Sequence, residues 1–271
     1  MELGQIRFAK THNEEFYKVL RKRVNSYFKD NNVSRYANFS MVMKTIAMIS
    51  MYYVPFILIL TVAESTWFTL LMWSIMGAGM AGIGLSIMHD ANHNAYSKNK
   101  WVNKILGKML NAMGGSDLNW RIQHNVLHHT YTNISGMDED IDIGNLMRFS
   151  PNQRLMKGHR FQHIYAWFLY GLMTVMWIFT KDYRQFARYQ KRGLLKTQTE
   201  NTGWALTQLI LSKVLYIGLI IVLPIVLNPS MWWPSRLSSK VAPMIPKFNV
   251  SCVSIASPST RCFLVFKFVI S

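Results

Sequence analysis

The chain has 271 residues, of which 50% are hydrophobic and 13% aromatic, and its net charge is +17. The positive charges flank apolar segments and do not form one stripe, which favours contact with anionic lipid and disfavours nucleic-acid binding. The two cysteines, Cys252 and Cys262, lie near the C-terminus away from the histidines, so no disulfide framework is indicated. Residues 1–40 are polar, and we expect no cleavable signal peptide.

Residues 1–44 are predicted to form a cytoplasmic amphipathic segment. They contain nine Lys/Arg and four acidic residues. Their apolar side chains recur at the spacing of one helical face, which favours a helix lying on the membrane surface. The residues of this stripe are Phe16, Val19, Leu20, Val24, Tyr27 and Phe28.

Three long uncharged segments predict membrane-spanning helices at about residues 45–63, 65–88 and 214–233. Each has the roughly 20 apolar residues that cross a hydrocarbon core, and only helices or closed barrels satisfy the backbone in lipid. Glu64 marks a tight outer turn between the first two segments. In the second, we expect four glycines to permit close helix approach, namely Gly77, Gly79, Gly82 and Gly84. The fold class is therefore all-α and multi-pass.

A fourth apolar segment, residues 164–180, is short for a span and precedes a strongly basic stretch. Residues 181–196 carry six Lys/Arg, which a crossing at 164–180 would place outside, against the positive-inside rule. We therefore predict an interfacial or re-entrant helix there, with residues 181–196 in the cytoplasm. In the third span, Pro224 predicts a kink, and Trp232 and Trp233 an anchor at the interface.

Two histidine clusters adjoin the apolar segments. His89 and His93 lie in HDANH, and His124, His128 and His129 lie in WRIQHNVLHHTYTN. On an α-helix, residues four apart share a face, and His129 is turned about 100° from His128. Imidazole suits zinc, copper, iron and nickel. The two clusters together predict a metal site formed by these five histidines, in a helical cap at the cytoplasmic mouth of the second span.

The other polar candidates have two interpretations each. The acidic group Asp138, Glu139, Asp140 and Asp142 is interpreted preferentially as a solvated turn, and alternatively as carboxylates that orient imidazoles. Asp90 fits equally a partner of His89 and a helix cap or solvent contact. For His159 and His163 we favour packing or a membrane-surface position over metal ligation, and for His12 a surface position.

The sequence resembles the membrane fatty acid desaturases, of the front-end or linoleoyl-CoA type. The resemblance runs from about residue 10 to Pro234 and is carried by HDANH, GGSDLNWRIQHNVLHHTYTNISGMDEDID and HRFQHIYAWFLYG. It implies a four-span, non-haem di-iron oxidoreductase facing the cytoplasm, which introduces a cis double bond into an acyl chain with dioxygen and two electrons. Carried over by position, the metal ligands are His89, His93, His124, His128 and His129, and no further catalytic residue is implied.

The resemblance also implies the partners, and it ends before the C-terminus. The substrate would be an acyl-CoA or acyl-lipid within membrane lipid, and a separate cytochrome b5 or ferredoxin type of protein would donate electrons, because no HPGG motif occurs. Family members carry a fourth span and a third histidine box, whereas no histidine follows His163 here. We therefore expect residues 45–234 to form the desaturase-like domain and residues 235–271 a divergent tail, truncated or frame-shifted, with the second iron site incomplete.

Three functions stay open from the sequence. The first is a desaturase, or a membrane fatty acid hydroxylase of the same superfamily. The second is a zinc-dependent intramembrane hydrolase, which is disfavoured because HDANH has Asp90 where HExxH has its general base. The third is a catalytically incomplete desaturase remnant. Metal content discriminates between them, since they require two irons, one zinc and no metal respectively.

Overall fold

A computed structural model of the protein describes residue 6 and residues 14–62, 65–142, 144–199 and 201–227, and within these ranges it consists of helices and connecting loops, without strands. Residues up to Leu223 form one compact unit; of the second unit, Pro224–Ser271, only residues 224–227 are described. The main helices are α1 (Glu14–Asp30), α2 (Phe39–Thr61), α3 (Thr66–Asn92), α4 (Lys100–Gly107), α5 (Met109–Ala112), α6 (Asp117–Arg121), α7 (Lys157–Gly171), α8 (Met173–Lys191) and α9 (Thr202–Leu227).

Helices α2, α3 and α9 are long and apolar enough to cross a membrane. Helices α7 and α8 pass the same test as a pair, but they meet at a bend of 58°, as in a broken span or a re-entrant loop. The protein is thus an all-α, multi-pass membrane protein, as the uncharged segments predicted. The bend is compatible with the interfacial or re-entrant helix expected at residues 164–180, which stays a prediction.

The α2–α3 hairpin is the centre of the larger core. Asn38 and Ser65 cap the two helices with their side chains, and the buried side chains include Tyr52 and Met76. Gly79 is required for the close approach, because a Cβ there would lie 2.8 Å from the backbone of Tyr52. The prediction that four glycines serve this contact is only half right.

Of the other glycines in α3, Gly82 also faces α2, where a Cβ would collide with the side chain of Met48. Gly77 and Gly84 face open space, since a Cβ at either position would meet nothing within 4 Å. A glycine count along a helix does not show which face meets the neighbour, so the sequence could not separate the two pairs.

The third spanning helix begins at Thr202, whereas the uncharged segment suggested a start near residue 214. Lys213 interrupts the apolar pattern, but its side chain is only 1% exposed. Its ammonium group donates to the carbonyl oxygen of Gly114 over 2.6 Å and pairs with the carboxylate of Asp182. A charge inside the helix is therefore tolerated because it is paired and hydrogen-bonded.

This buried ion pair, together with the hydrogen bond to Gly114, joins three parts of the chain. Asp182 lies in α8, Lys213 in α9, and Gly114 in the turn that leads into α6. The backbone carbonyl of Asp182 also accepts a hydrogen bond from the Asn119 side chain of α6 over 2.7 Å. Helix α6, which leads directly into the second histidine cluster, is thus held against both α8 and α9.

Helix α1 forms where the amphipathic stripe predicted it. Phe16, Val19, Leu20, Val24 and Tyr27 are all exposed, so the described chain leaves this apolar face uncovered, as expected of a helix that rests on a membrane. The expectations for Glu64, Trp232, Trp233, His12 and the 235–271 tail concern positions outside the described residues.

We predict that Lys213→Met destabilises the protein by about 3–5 kcal/mol, because it leaves the Asp182 carboxylate buried without its partner. Thermal unfolding in detergent micelles or bicelles would measure the loss. The matched control is Lys191→Met at an exposed position of α8, which should leave stability within about 0.5 kcal/mol. Adding Asp182→Asn to Lys213→Met should recover part of the loss; if it adds a further loss, the pair is not the stabilising element.

Candidate metal centre

Both histidine clusters lie at π-helical turns. Residues Ile83–Met88 are π-helical and lead into His89, while Ile122–His128 contains two of the second cluster's histidines. A π-helix closes its hydrogen bonds from i to i+5, so side chains five apart lie about one turn apart. The α-helical register expected of the first cluster is observed, since the backbone N–H of His93 donates to the carbonyl of His89 over 3.2 Å. The second cluster departs from the expected α-helix because its turn is π-helical. The imidazoles of His124 and His129, five residues apart, have ring centroids separated by 4.8 Å.

The structure brings all five histidines together. One ring nitrogen each of His89, His93 and His124 lie within 4.8 Å of one another. The His129 ring centroid lies 4.8 Å from that of His93, and the His128 centroid lies 5.1 Å from that of His124. Two clusters about thirty residues apart in sequence thus form one group. Metal ligation by these residues stays a prediction.

A hydrogen bond between the two clusters contributes to this arrangement. The Asn125 side-chain amide donates to the backbone carbonyl of Asn92 over 2.9 Å, and the Asn92 amide donates to Gly107 in α4 over 3.3 Å. Trp120 stacks on His124 at 4.5 Å and lies edge-on to His89 at 5.8 Å. The indole therefore covers one side of the imidazole group.

Carboxylates hold three of the imidazoles by their Nδ1 atoms. Nδ1 of His124 lies 2.8 Å from Asp140, and Nδ1 of His128 lies 3.0 Å from Asp138. The preferred interpretation as a solvated turn is wrong for Asp138, which is 0% exposed, and for Asp140, which bonds His124, whereas Asp142 is exposed as that interpretation expected. The turn folds back because Asp138 also accepts the backbone N–H of Asn133 over 2.8 Å. The alternative, carboxylates that orient imidazoles, describes Asp138 and Asp140.

Asp90 makes the third such contact. Its carboxylate lies 3.1 Å from Nδ1 of His89, and both side chains are partly exposed. The partner role that the sequence left open is therefore the one observed. Because an ionised carboxylate only accepts hydrogen bonds, Nδ1 carries the proton in each of these three imidazoles. Their Nε2 atoms are then the lone-pair nitrogens.

The unpartnered Nε2 of His124 shows how a metal would fit. This atom is buried and has no hydrogen-bond partner, a costly state for a polar atom unless a ligand completes it. A second possible metal-binding group consists of His124, His128 and Asp140, whose potential ligand atoms also lie within 4.8 Å of one another. We assign that group to hydrogen bonding, because Asp140 bonds the Nδ1 side of His124. The donor set of neutral imidazoles backed by carboxylates suits a first-row transition metal ion.

The pKa values of the site favour metal binding. Burial and the neighbouring imidazoles of His89, His124 and His129 lower the pKa of His93 to about 4, and burial with nearby imidazoles likewise lowers the pKa of His129. Burial opposes ionisation of Asp140, but hydrogen bonds from His124 and Gln123 outweigh it and keep its pKa below the ordinary value. At neutral pH, His93 and His129 therefore offer lone pairs and Asp140 is charged.

Glu139 ties the carboxylate turn to α8. Its carboxylate accepts the Tyr189 hydroxyl over 2.6 Å and the Arg188 guanidinium over 2.8 Å. Gln185 of the same helix donates to Gln123 over 2.6 Å, and the Gln123 amide donates to Asp140 over 2.6 Å. The orientation of the His124 imidazole thus depends on a helix some sixty residues further along the chain.

Most of these supporting residues could not be identified from the sequence. Gln185, Tyr189 and Lys213 have no motif signal, because their partners lie far away in sequence. Asp138 and Asp140 were identified from their position shortly after the second histidine cluster, but only as the less favoured alternative. That signal is weak, because a short acidic turn is more often solvated.

The third histidine pair takes no part in the described metal-competent groups. Nδ1 of His159 accepts the backbone N–H of Met156 over 3.2 Å, and its Nε2 lies 3.0 Å from the carbonyl oxygen of Asn145. With both nitrogens bonded to backbone, His159 serves packing, as the sequence favoured. His163 is exposed at the start of α7.

A family model described as fatty acid desaturase matches residues 65–238, which include both histidine clusters and the carboxylate turn. The chain belongs to the fatty acid desaturase family. The resemblance identified from the histidine clusters is confirmed, and all five histidines lie within the matched residues. No solved structure matches the chain.

Curated desaturases are similar over the same part of the chain. The sn-1 linoleoyl-lipid 6-desaturase of Arthrospira platensis is 38% identical over 60% of this chain and 44% of its own length. The protein of the same name from Synechocystis is 35% identical over 62% and 46%. The acyl-lipid (8-3)-desaturase of Physcomitrium patens is 34% identical over 66% and 38%. The chain spans less than half the length of these relatives.

We predict that Asp140→Asn lowers metal affinity about 10–100-fold, because the His124 imidazole loses the charged acceptor that orients it and raises its basicity. Titration of the metal-free protein with Co²⁺, followed by visible absorption, would measure the affinity. Asp142→Asn is the matched control in the same turn, since within the described residues Asp142 bonds the backbone of Gly144 and no imidazole. Equal losses in both variants would contradict an orienting role for Asp140.

Proposed function

We propose that the chain is an iron-dependent fatty acid desaturase domain whose metal is held by His89, His93, His124, His128 and His129. The observation that carries the proposal is the buried, unpartnered Nε2 of His124, which lies among the other imidazoles while a carboxylate holds its Nδ1. Iron bound there would supply the oxidising chemistry with dioxygen that removes hydrogen from an unactivated methylene, which side chains cannot supply.

The protein's own groups would prepare this site in two ways. The Asp90, Asp138 and Asp140 carboxylates fix the tautomers of three imidazoles, so that their lone pairs face a common volume. Trp120 covers the imidazole group and restricts water around it, as controlled oxygen chemistry requires. The zinc hydrolase alternative is less favoured, because Asp90 is engaged with Nδ1 of His89 and so is not disposed as a general base.

For the substrate we propose the acyl chain of a membrane lipid or an acyl-CoA, because similar relatives are named for acyl-lipid and linoleoyl-lipid desaturation and the histidines adjoin a spanning helix. A separate protein of the cytochrome b5 or ferredoxin type would donate the electrons. Five imidazoles leave several positions on two ions to water, because Asp138 and Asp140 already hold imidazoles by Nδ1. We therefore propose one well-formed iron site and a second one that is incomplete within the described residues.

We predict that the purified chain binds iron, and that His124→Ala abolishes binding because His124 is common to both metal-competent groups. Plasma mass spectrometry gives iron per chain. His163→Ala is the control, since His163 belongs to neither metal-competent group, and it should retain full iron. One zinc and no iron would support the hydrolase; no metal in the folded wild-type chain would contradict the proposal.

Activity is tested by expressing the chain in a host with a competent electron-transfer system and analysing its fatty acids. We expect little new unsaturated product, because an open, hydrated second ion lacks the ordered cavity for oxygen chemistry. An abundant new product that disappears with His128→Ala would show that the five histidines suffice and that the second site is complete. A hydroxylated product would favour the related hydroxylase.

We also propose that the metal centre faces the cytoplasm, together with α1 and residues 181–196, on the basis of their excess of Lys/Arg. In a background with Cys252→Ser and Cys262→Ser, we predict that Lys191→Cys is labelled by a membrane-impermeant maleimide only after sealed membranes are opened. Labelling of intact cells from outside would mean that the α7–α8 pair crosses the membrane, and would contradict this orientation.

A further inference from the structure

A second site lies at the start of α7, apart from the metal-competent groups. It is an open concavity of about 1080 Å³ between the loop around Arg148 and the first turns of α7. Its charged or imidazole lining residues are Arg148, Lys157, His159, Arg160 and His163, and its lining contains no carboxylate. We call it the α7 pocket.

Hydrogen bonds build the walls of the α7 pocket. The backbone N–H of Arg148 donates to the Gln162 side chain over 2.7 Å, and the Gln162 amide donates back to the Arg148 carbonyl over 3.2 Å. The Arg148 guanidinium donates to the carbonyls of Pro151 and Gln153 over 2.7 and 2.9 Å. The loop is thus strapped to α7, and the concavity has a defined shape.

Two cations of the α7 pocket have no acidic partner among the described residues. Arg160 lies over the ring of Phe161 at 4.5 Å, and Lys157 is exposed and forms no ion pair within the described part of the chain. Residues 144–180 contain four Lys/Arg and no acidic residue. The local charge is therefore positive and uncompensated, which attracts an anion.

Exposed apolar side chains continue directly from these cations. Phe161 is 47% exposed, Ile164 64% and Trp167 78%, and no residue of Gln162–Gly171 is buried. In a chain that spans a membrane, such a surface faces acyl chains, and Trp and basic residues at its end lie at headgroup level. Cations beside an uncovered apolar surface match the two parts of an anionic lipid.

We propose that the α7 pocket binds the phosphate-bearing headgroup of an anionic phospholipid, with Lys157 and Arg160 on the phosphate and the acyl chains along Ile164 and Trp167. A soluble phosphate would bind the same cations, but it has no acyl chains to cover the apolar surface. The site is independent of the proposed iron centre, and it would hold whether or not the chain oxidises fatty acids.

The test is native mass spectrometry of the full chain in detergent, titrated with phosphatidylglycerol or phosphatidylcholine. We expect phosphatidylglycerol to bind more tightly. In the variant Lys157→Gln/Arg160→Gln its binding should weaken about 25-fold, because each basic residue near an anionic lipid contributes about a factor of five. Neither side chain donates a hydrogen bond that holds the described fold, so the variant should fold.

The matched control is Arg154→Gln/Lys100→Gln, which removes two exposed charges, one of them from the same loop but outside the pocket lining. It should weaken binding by less than about threefold, because neither charge lies at the proposed phosphate position. Equal weakening in both variants, or none in the pocket variant, would overturn the proposal. Displacement of phosphatidylglycerol by glycerol phosphate at equal concentration would overturn the lipid as occupant and leave a soluble phosphate site.

A second measurement does not depend on any variant. Wild-type protein in nanodiscs is crosslinked with phosphatidylglycerol that carries a photoactivatable group near the phosphate, and the labelled peptide is identified. We expect the label on residues 148–166. Labelling elsewhere, or equal labelling by the phosphatidylcholine analogue, would overturn the proposal even if the pocket variant failed to fold.

Discussion

The hydrogen bonds between the carboxylate turn and the second histidine cluster are the contacts on which the site depends. Asp138 and Asp140 accept hydrogen bonds from Nδ1 of His128 and His124, so the lone pairs of these imidazoles are on the opposite nitrogens. A carboxylate that bonds a partly buried imidazole is held in one position and direction, which a carboxylate on a solvated turn is not. Without these bonds the imidazoles of His124 and His128 would lose the acceptors that fix their ring orientation.

That turn is itself held by helices that carry no histidine of the metal centre. Glu139 is clamped by Tyr189 and Arg188 of α8, and α8 is fixed to α9 by the buried pair of Asp182 and Lys213. The spanning helix α9 therefore supports the histidine group through two successive polar contacts, one from α9 to α8 and one from α8 to the carboxylate turn. Buried polar groups of this kind are costly when half satisfied, which explains why Lys213 is placed where it meets both a carboxylate and the Gly114 carbonyl.

The membrane accounts for two features of the structure. The spanning helices α2, α3 and α9 bury little of their own surface, since most of their apolar side chains face outward to lipid. The polar helices that carry the histidines and carboxylates are folded at the end of α3, next to that surface. The α7 pocket combines polar and apolar parts, because its cations lie at the start of a helix in which no residue of Gln162–Gly171 is buried. The same physical requirement, apolar area covered by lipid and charges at its edge, shapes α1 and α7.

Local sequence determined a good deal of this protein. Uncharged segments of about twenty residues predicted the spanning helices, because the hydrocarbon core demands that length, and the five histidines were found from their spacing alone. Long-range contacts decided the rest. Asp140 meets His124 only because the turn folds back, Gln185 and Tyr189 reach the turn from another helix, and Lys213 is neutralised by Asp182, thirty-one residues away in sequence. No local sequence pattern predicts such pairings, since tertiary packing brings these polar residues together and removes the water around them.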